Sequence, residues 1–232
     1  MPTQESYFDL FGGTRPWQAD DWVASDDRVR GGKSQSYLDS SSSSNTVVFH
    51  GNLDIATLGG AGFASRRSPD PQGWDLSHYT KLRLGVGKSD GKRYTLILKD
   101  EVLPKRPDGR EQSTVSWEYD FTAQETTLDI AWADFKPTYR GKPKPDAQPL
   151  KLSNIKRVSI MMRSFFGEQE GEFNVELESI AAVKPSNSLS EASSTDLKEE
   201  TQSFDSRSDV SKGGERPAAR SWLACLQGFF KL

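Results

Sequence analysis

The chain has 232 residues, 34% of them hydrophobic, with a mean hydropathy of −0.68 and a net charge of −3 from 30 basic and 33 acidic side chains. A pI of about 5.6 argues against a nucleic-acid partner, since such proteins usually carry a basic stripe and a high pI. The one cysteine, Cys225, excludes an internal disulfide and a paired-cysteine metal site, and it fits a reducing compartment such as cytosol or mitochondrial matrix.

No basic residue precedes Arg15, so the N-terminus shows neither a secretory signal nor an arginine-rich transit pattern. No stretch approaches the ~20 apolar residues of a spanning helix, and a soluble protein is expected. The serine-rich stretch 39–45 reads as a loose hairpin loop ahead of a strand at 46–49. Gly59, Gly60 and Gly62 read as a bulge or tight bend before a strand at 62–66, not as a dinucleotide fingerprint. Leu82, Leu84 and Val86 then alternate with polar or small residues, as do Tyr94, Leu96 and Leu98, and Asp90-Gly91 between them reads as a hairpin connection. A polar loop over 100–113 contains a turn at Pro107-Asp108-Gly109, and Val115, Trp117 and Tyr119 follow in alternation.

A short turn is expected near 131–135. Pro137, Pro143, Pro145 and Pro149 make 136–154 a long surface loop, the kind of segment that carries binding function on a β scaffold. Val158, Ile160 and Met162, then Phe173, Val175 and Leu177, complete the alternating runs. Seven to ten strands with no intervening helix predict an all-β sandwich or jelly roll. The domain is expected over 7–183, followed by a disordered Ser/Glu-rich linker over 184–220 and a short apolar segment over 221–232. That last segment either folds back on the sandwich or serves as a docking peptide or membrane-surface contact, with Cys225 open to palmitoylation.

Catalytic chemistry is hard to find. His50 and His78 are isolated and read as surface or hydrogen-bonded structural groups, so no metal site of nitrogen and sulfur ligands is expected. No GxSxG, P-loop or HExxH motif occurs, and no pair of the many carboxylates is singled out, although a calcium site on acids and carbonyls is a milder alternative. The expectation is a binding protein with no catalytic residue and no cofactor. Of the aromatic residues, Trp117 and Tyr119 read as core. Trp74 and Tyr139, beside loops, are the candidates for an exposed platform on which a sugar would stack.

A set of short elements occurs in order along the chain. Asp27-Arg28-Val29-Arg30-Gly31-Gly32-Lys33-Ser34 is similar to an Asp-x-x-Met-Gly-Gly-x-Ser element, with Arg30 in place of Met. Phe49-His50-Gly51-Asn52-Leu53 and Gly60-Ala61-Gly62-Phe63-Ala64-Ser65-Arg66 follow, the second with Ala61 inserted between glycines. Then come Asp75-Leu76-Ser77, Leu82-Arg83-Leu84, Asp90-Gly91-Lys92-Arg93-Tyr94 and Pro137-Thr138-Tyr139-Arg140-Gly141. Together they resemble the complex I intermediate-associated protein 30 family over about residues 7–183. The resemblance implies a galactose-binding-like jelly roll and a chaperone-like assembly factor of mitochondrial respiratory complex I, binding unassembled subunits or intermediates. It is similar, more distantly, to carbohydrate-binding modules of the same fold. The implied location is mitochondrial; the lack of a presequence pattern leaves a cytoplasmic paralogue with another protein partner as the alternative.

The candidate binding residues lie on an expected loop rim: Trp22, Asp26, Arg30, Arg66, Trp74, Tyr139 and Arg140. Gly31 and Gly32 supply a backbone shape that side chains would not tolerate, Asp26 and Ser34 are candidates to brace it, and Arg66 and Arg140 are candidates to pair with acids.

Overall fold

A computed structural model describes residues 5–41, 45–69 and 72–184. The linker and the apolar segment expected beyond Lys184 lie outside the described residues. The strands run in chain order β1 (Ser6–Gly12), β2 (Val23–Ala24), β3 (Gln35–Ser40), β4 (Val47–Leu53), β5 (Phe63–Arg67), β6 (Lys81–Ser89) and β7 (Arg93–Lys99). They continue with β8 (Ser116–Thr122), β9 (Thr126–Ala131), β10 (Lys136–Tyr139), β11 (Lys142–Pro143), β12 (Arg157–Arg163) and β13 (Gly171–Lys184). Single 3-10 turns at Ala19–Asp21, Asp27–Arg30, Trp132–Asp134 and Leu152–Asn154 are the only helical pieces among the described residues, and no helix there could cross a membrane.

All pairings are antiparallel and form two sheets. The first has the order β3-β4-β13-β6-β9, with β1 on the remaining part of β13; the second has the order β11-β10-β8-β7-β12-β5-β2. Alternation fixes the inward face of each strand. Leu82, Leu84 and Val86 of β6 and Phe173, Val175 and Leu177 of β13 are buried, opposite Tyr94, Leu96 and Leu98 of β7 and Val158, Ile160 and Met162 of β12. Phe49 and Tyr94 meet across the core at 6.1 Å between ring centroids. Each such Leu or Phe contributes roughly 1.5–3 kcal/mol by leaving water. A second aromatic group gathers on Phe11, which contacts Trp17 at 5.6 Å, Trp22 at 4.8 Å and Trp74 at 5.5 Å.

Two sequence expectations are corrected. Asp90-Gly91 is not a hairpin turn: β6 pairs with β13 and β9, whereas β7 pairs with β8 and β12, so the turn carries the chain from one sheet to the other. Asp90 accepts from the Lys92 and Asn174 amides and from the Tyr94 hydroxyl, fixing this crossing. The stretch 136–154 is also not all loop. β10 pairs with β8 through Lys136↔Glu118 to Thr138↔Ser116, and β11 closes on β10. Prolines at 137 and 143 are tolerated because these strands form the margin of the sheet, where a missing amide interrupts little. β1, β3 and β9, whose alternation is weaker, are further strands that the sequence pattern did not announce.

Candidate functional site

Two adjacent carboxylates organise the rim where β2 leaves the second sheet. Asp27, fully buried, accepts from the Ser34 amide (3.1 Å), the Ser34 hydroxyl (2.7 Å) and the Phe63 amide (3.1 Å). Asp26, 8% exposed, accepts from the Ser36 amide (3.2 Å), the Ser36 hydroxyl (2.6 Å) and the Ser65 amide (2.9 Å). Ser36 lies in the first sheet and Ser65 in the second, so these acids staple the sheets together at this corner. Satisfied buried carboxylates of this kind are structural. Between Asp27 and Ser34 the chain turns through Gly31 at φ 84°, and Gly32 packs so tightly on the Asp27 carboxylate that a Cβ there would sit 2.2 Å from Oδ1.

The predicted rim residues therefore divide. Trp22 is 3% exposed, its ring held in the Phe11 cluster, so it belongs to the core and not to the rim surface. Trp74 is partly buried in the same cluster. Among the described residues Arg66 pairs with no acid; its guanidinium donates to the Trp22 carbonyl (3.2 Å) and the Ser36 carbonyl (2.6 Å), tying the two sheets. Arg140 likewise pairs with no acid among the described residues, donating to the Ser113 hydroxyl at 3.3 Å and lying 5.4 Å from the Tyr139 ring centroid. Tyr139 is 38% exposed and has no ring contact with Trp74, so these two do not make one platform. Arg30 stands exposed, 5.3 Å from the Phe63 ring centroid.

Arg30 and Arg140 line one cleft of about 450 Å³ with Arg106, Arg110, Glu111 and Ser113. Its single acid is already engaged: Glu111 receives the Arg157 guanidinium at 2.8 Å and that of Arg67 at 2.8 Å. Burial alone would push the Glu111 carboxyl up, but these two arginines hold it below the usual carboxylate range. The cleft is thus lined by four arginines around a neutralised carboxylate. On the neighbouring sheet face, burial and the positive field of Arg157 bring the Lys99 ammonium down to about 8. It donates to the Thr114 hydroxyl at 2.9 Å. Among the described residues no group of three His, Cys, Asp or Glu could hold a metal ion. His50 bonds Asp39 at 2.8 Å and stacks on Tyr37 in a polar cleft on the outside of the first sheet.

The feature that sequence reasoning missed follows β12. Phe165 and Phe166 have φ of 46° and 63°, positions that side chains other than Gly, Asn or Asp rarely occupy, and Gly167 follows at 92°. Each such residue costs on the order of 1–3 kcal/mol unless its surroundings enforce it. The Ser164 carbonyl accepts from the Gly167 and Glu168 amides at 3.0 and 2.9 Å, and Gln169 bridges the carbonyls of Arg93 and Arg163. Phe165 is gripped by the guanidiniums of Arg93 and Arg163, 3.4 and 4.5 Å from its ring centroid. Phe166, by contrast, is 93% exposed. The signal was available: an aromatic pair that breaks the alternation directly before a glycine.

The architecture defines the class: a two-sheet antiparallel jelly roll of galactose-binding-like type. It is similar to the family 11 carbohydrate-binding module of the cellulosomal cellulase Lic26A-Cel5E of Clostridium thermocellum, with a TM-score of 0.50 at 17% identity, over 80% of this chain and 97% of the module. At that identity the likeness is one of fold. The family model for complex I intermediate-associated protein 30 (CIA30) matches residues 11–177, and the chain belongs to that family. An uncharacterized protein of Schizosaccharomyces pombe is 41% identical over 182 residues, covering 75% of this chain and 83% of that one.

Proposed function

We propose that this chain is a non-catalytic binding protein of the assembly-factor kind, holding unassembled subunits or intermediates of mitochondrial respiratory complex I against its loop rim. The family match across nearly the whole sandwich carries this reading. The chemistry of the rim supports it: Asp26, Asp27 and Arg66 are consumed in structural hydrogen bonds, while arginines and an aromatic side chain face outward. Such groups make protein contacts, since Arg and aromatic residues dominate the energetics of interfaces.

The test is to express the full chain with an affinity tag in its own cells, fractionate them, and identify co-purifying proteins by mass spectrometry. Enrichment in mitochondria with complex I subunits is the expected result, together with stalled complex I assembly when the gene is removed. A cytosolic chain that captures no complex I subunit overturns the reading.

A further inference from the structure

We propose that the 164–167 turn is a rigid docking device, in which Phe166 is the anchor that enters an apolar pocket bordered by carboxylates on a partner protein. The proposal rests on the reading of the chain as a protein-binding module but not on the identity of its partner.

Three observations carry it. The first is that Phe166 combines 93% exposure with φ of 63°. A buried ring could offset an unfavourable backbone by its packing; this one buries almost nothing in the isolated chain. Strain held by the surroundings with no return inside the fold is characteristic of functional positions. Phe165 does not need Phe166 beside it for its own grip, since its contacts are with Arg93 and Arg163.

The second observation is rigidity. The Ser164 amide donates to the Gly62 carbonyl, the Gly62 amide donates to the Ser164 hydroxyl, and Gln169 clamps the end of β12 to the start of β7. A ring displayed on so fixed a turn loses little conformational freedom on binding, which is how preorganised anchors gain affinity.

The third is what surrounds it. Asp27 holds the Phe63 amide, so the Asp27–Arg30 turn and the Phe166 turn are tied to the same two residues, Gly62 and Phe63. That neighbouring turn displays Val29, 80% exposed, and beside it Arg28 and Arg30, neither paired with a carboxylate among the described residues. Arg30 also borders the four-arginine cleft. The guanidiniums at the Phe166 turn, Arg93 and Arg163, are held by Glu168, Glu118 and Asp120, so the unpaired charge lies on the Val29 side. The two apolar side chains are complementary to an apolar pocket with acidic groups along that one border. The positive charge would speed encounter and the ring would slow release.

The experiment places the photo-crosslinking residue p-benzoylphenylalanine at position 29 in the full chain, in its own cells, with Phe166 intact or with Phe166→Gly. A control chain carries the crosslinker at Tyr7, which is 49% exposed on the other sheet. Irradiation is expected to give a discrete adduct from position 29 with a protein identified by mass spectrometry. That adduct should weaken at least about tenfold in Phe166→Gly and clearly in Arg30→Glu, as loss of an interface anchor does. Nothing equivalent should come from position 7. Thermal unfolding of purified Phe166→Gly should show an unchanged or higher midpoint, because glycine relieves the strain.

Absence of an adduct, an adduct indifferent to Phe166→Gly, an adduct with nucleic acid, or a lowered midpoint in Phe166→Gly would each overturn the proposal. An anchor-dependent adduct with a protein outside complex I would uphold the docking device while removing complex I as its target.

Discussion

Asp27 and Ser34 form a closed pair: one buried carboxylate takes both the amide and the hydroxyl of a serine seven residues later, and a third hydrogen bond from Phe63 in the opposite sheet. Removing the carboxylate strands the Ser34 and Phe63 amides, while the Ser34 hydroxyl can turn to the Asp54 carbonyl at 3.2 Å, and each buried unsatisfied group costs about 1–3 kcal/mol. Asp27→Ala should therefore lower unfolding stability by roughly 2–4 kcal/mol, read as a shift of the urea midpoint at constant m-value. A change within error would mean that the staple is dispensable.

Gly31 and Gly32 separate two reasons for glycine. Gly31 has φ of 84° and open space where a Cβ would lie, so Gly31→Ala should cost only about 1–2 kcal/mol of backbone strain. A Cβ on Gly32 would collide with Asp27, so Gly32→Ala should cost more, roughly 2–4 kcal/mol. Paired denaturant curves test the order, and equal losses would refute it.

Lys99 predicts a pH dependence. Its ammonium in the folded state titrates near 8, below its ordinary 10.5, chiefly because it is buried and next to Arg157, with Glu111, Glu118 and Asp100 opposing the shift. Between these values the unfolded chain binds more protons, so this group's contribution to stability rises with pH through the window from about 8 to 10.5. Below that window the buried charge is a constant cost. Lys99→Met should thus be the more stable protein at pH 7, by roughly 1–3 kcal/mol, with the advantage fading toward pH 10.5. A pH-independent difference would contradict this account.

Glu111 anchors the 100–115 loop to the sheet through Arg67 and Arg157. Glu111→Ala should loosen that tether and expose the bonds after Arg106 and Arg110. Faster trypsin cleavage at these two sites, at temperatures well below the unfolding midpoint, is the expected readout. An unchanged digestion pattern would show that the loop is held elsewhere.

The strands that contribute most to the core were the legible ones. Leu82, Leu84 and Val86, or Val158, Ile160 and Met162, alternate because one face of each strand is wet or polar and the other faces the opposite sheet. β10 was hidden by Pro137, which reads as a strand breaker unless one knows that the strand lies near a margin. The sheet change at Asp90-Gly91 was hidden because a hairpin and a crossover share the same turn chemistry; only the distant partners β13 and β8 tell them apart.

The rim was legible in position but not in role. The motif offered Asp26 and Ser34 as braces of the Gly31-Gly32 turn, yet whether a carboxylate is consumed or displayed depends on Ser34, Ser36 and Ser65, which reach the two acids from elsewhere in the chain. Trp22 illustrates the same limit, since its burial involves Phe11 of β1 as well as the nearby Trp17.

The placement of β13 has a consequence for how the protein is made. This strand of 14 residues pairs with β4 over one stretch, with β1 over another, and with β6 along its other edge, and β1 has no other strand partner among the described residues. During synthesis β1 must wait for β13, about 160 residues later, before it can join a sheet. β4 and β6 meanwhile present bare amides and carbonyls to any strand they encounter. The domain should therefore close late and all at once, when β13 supplies both edges.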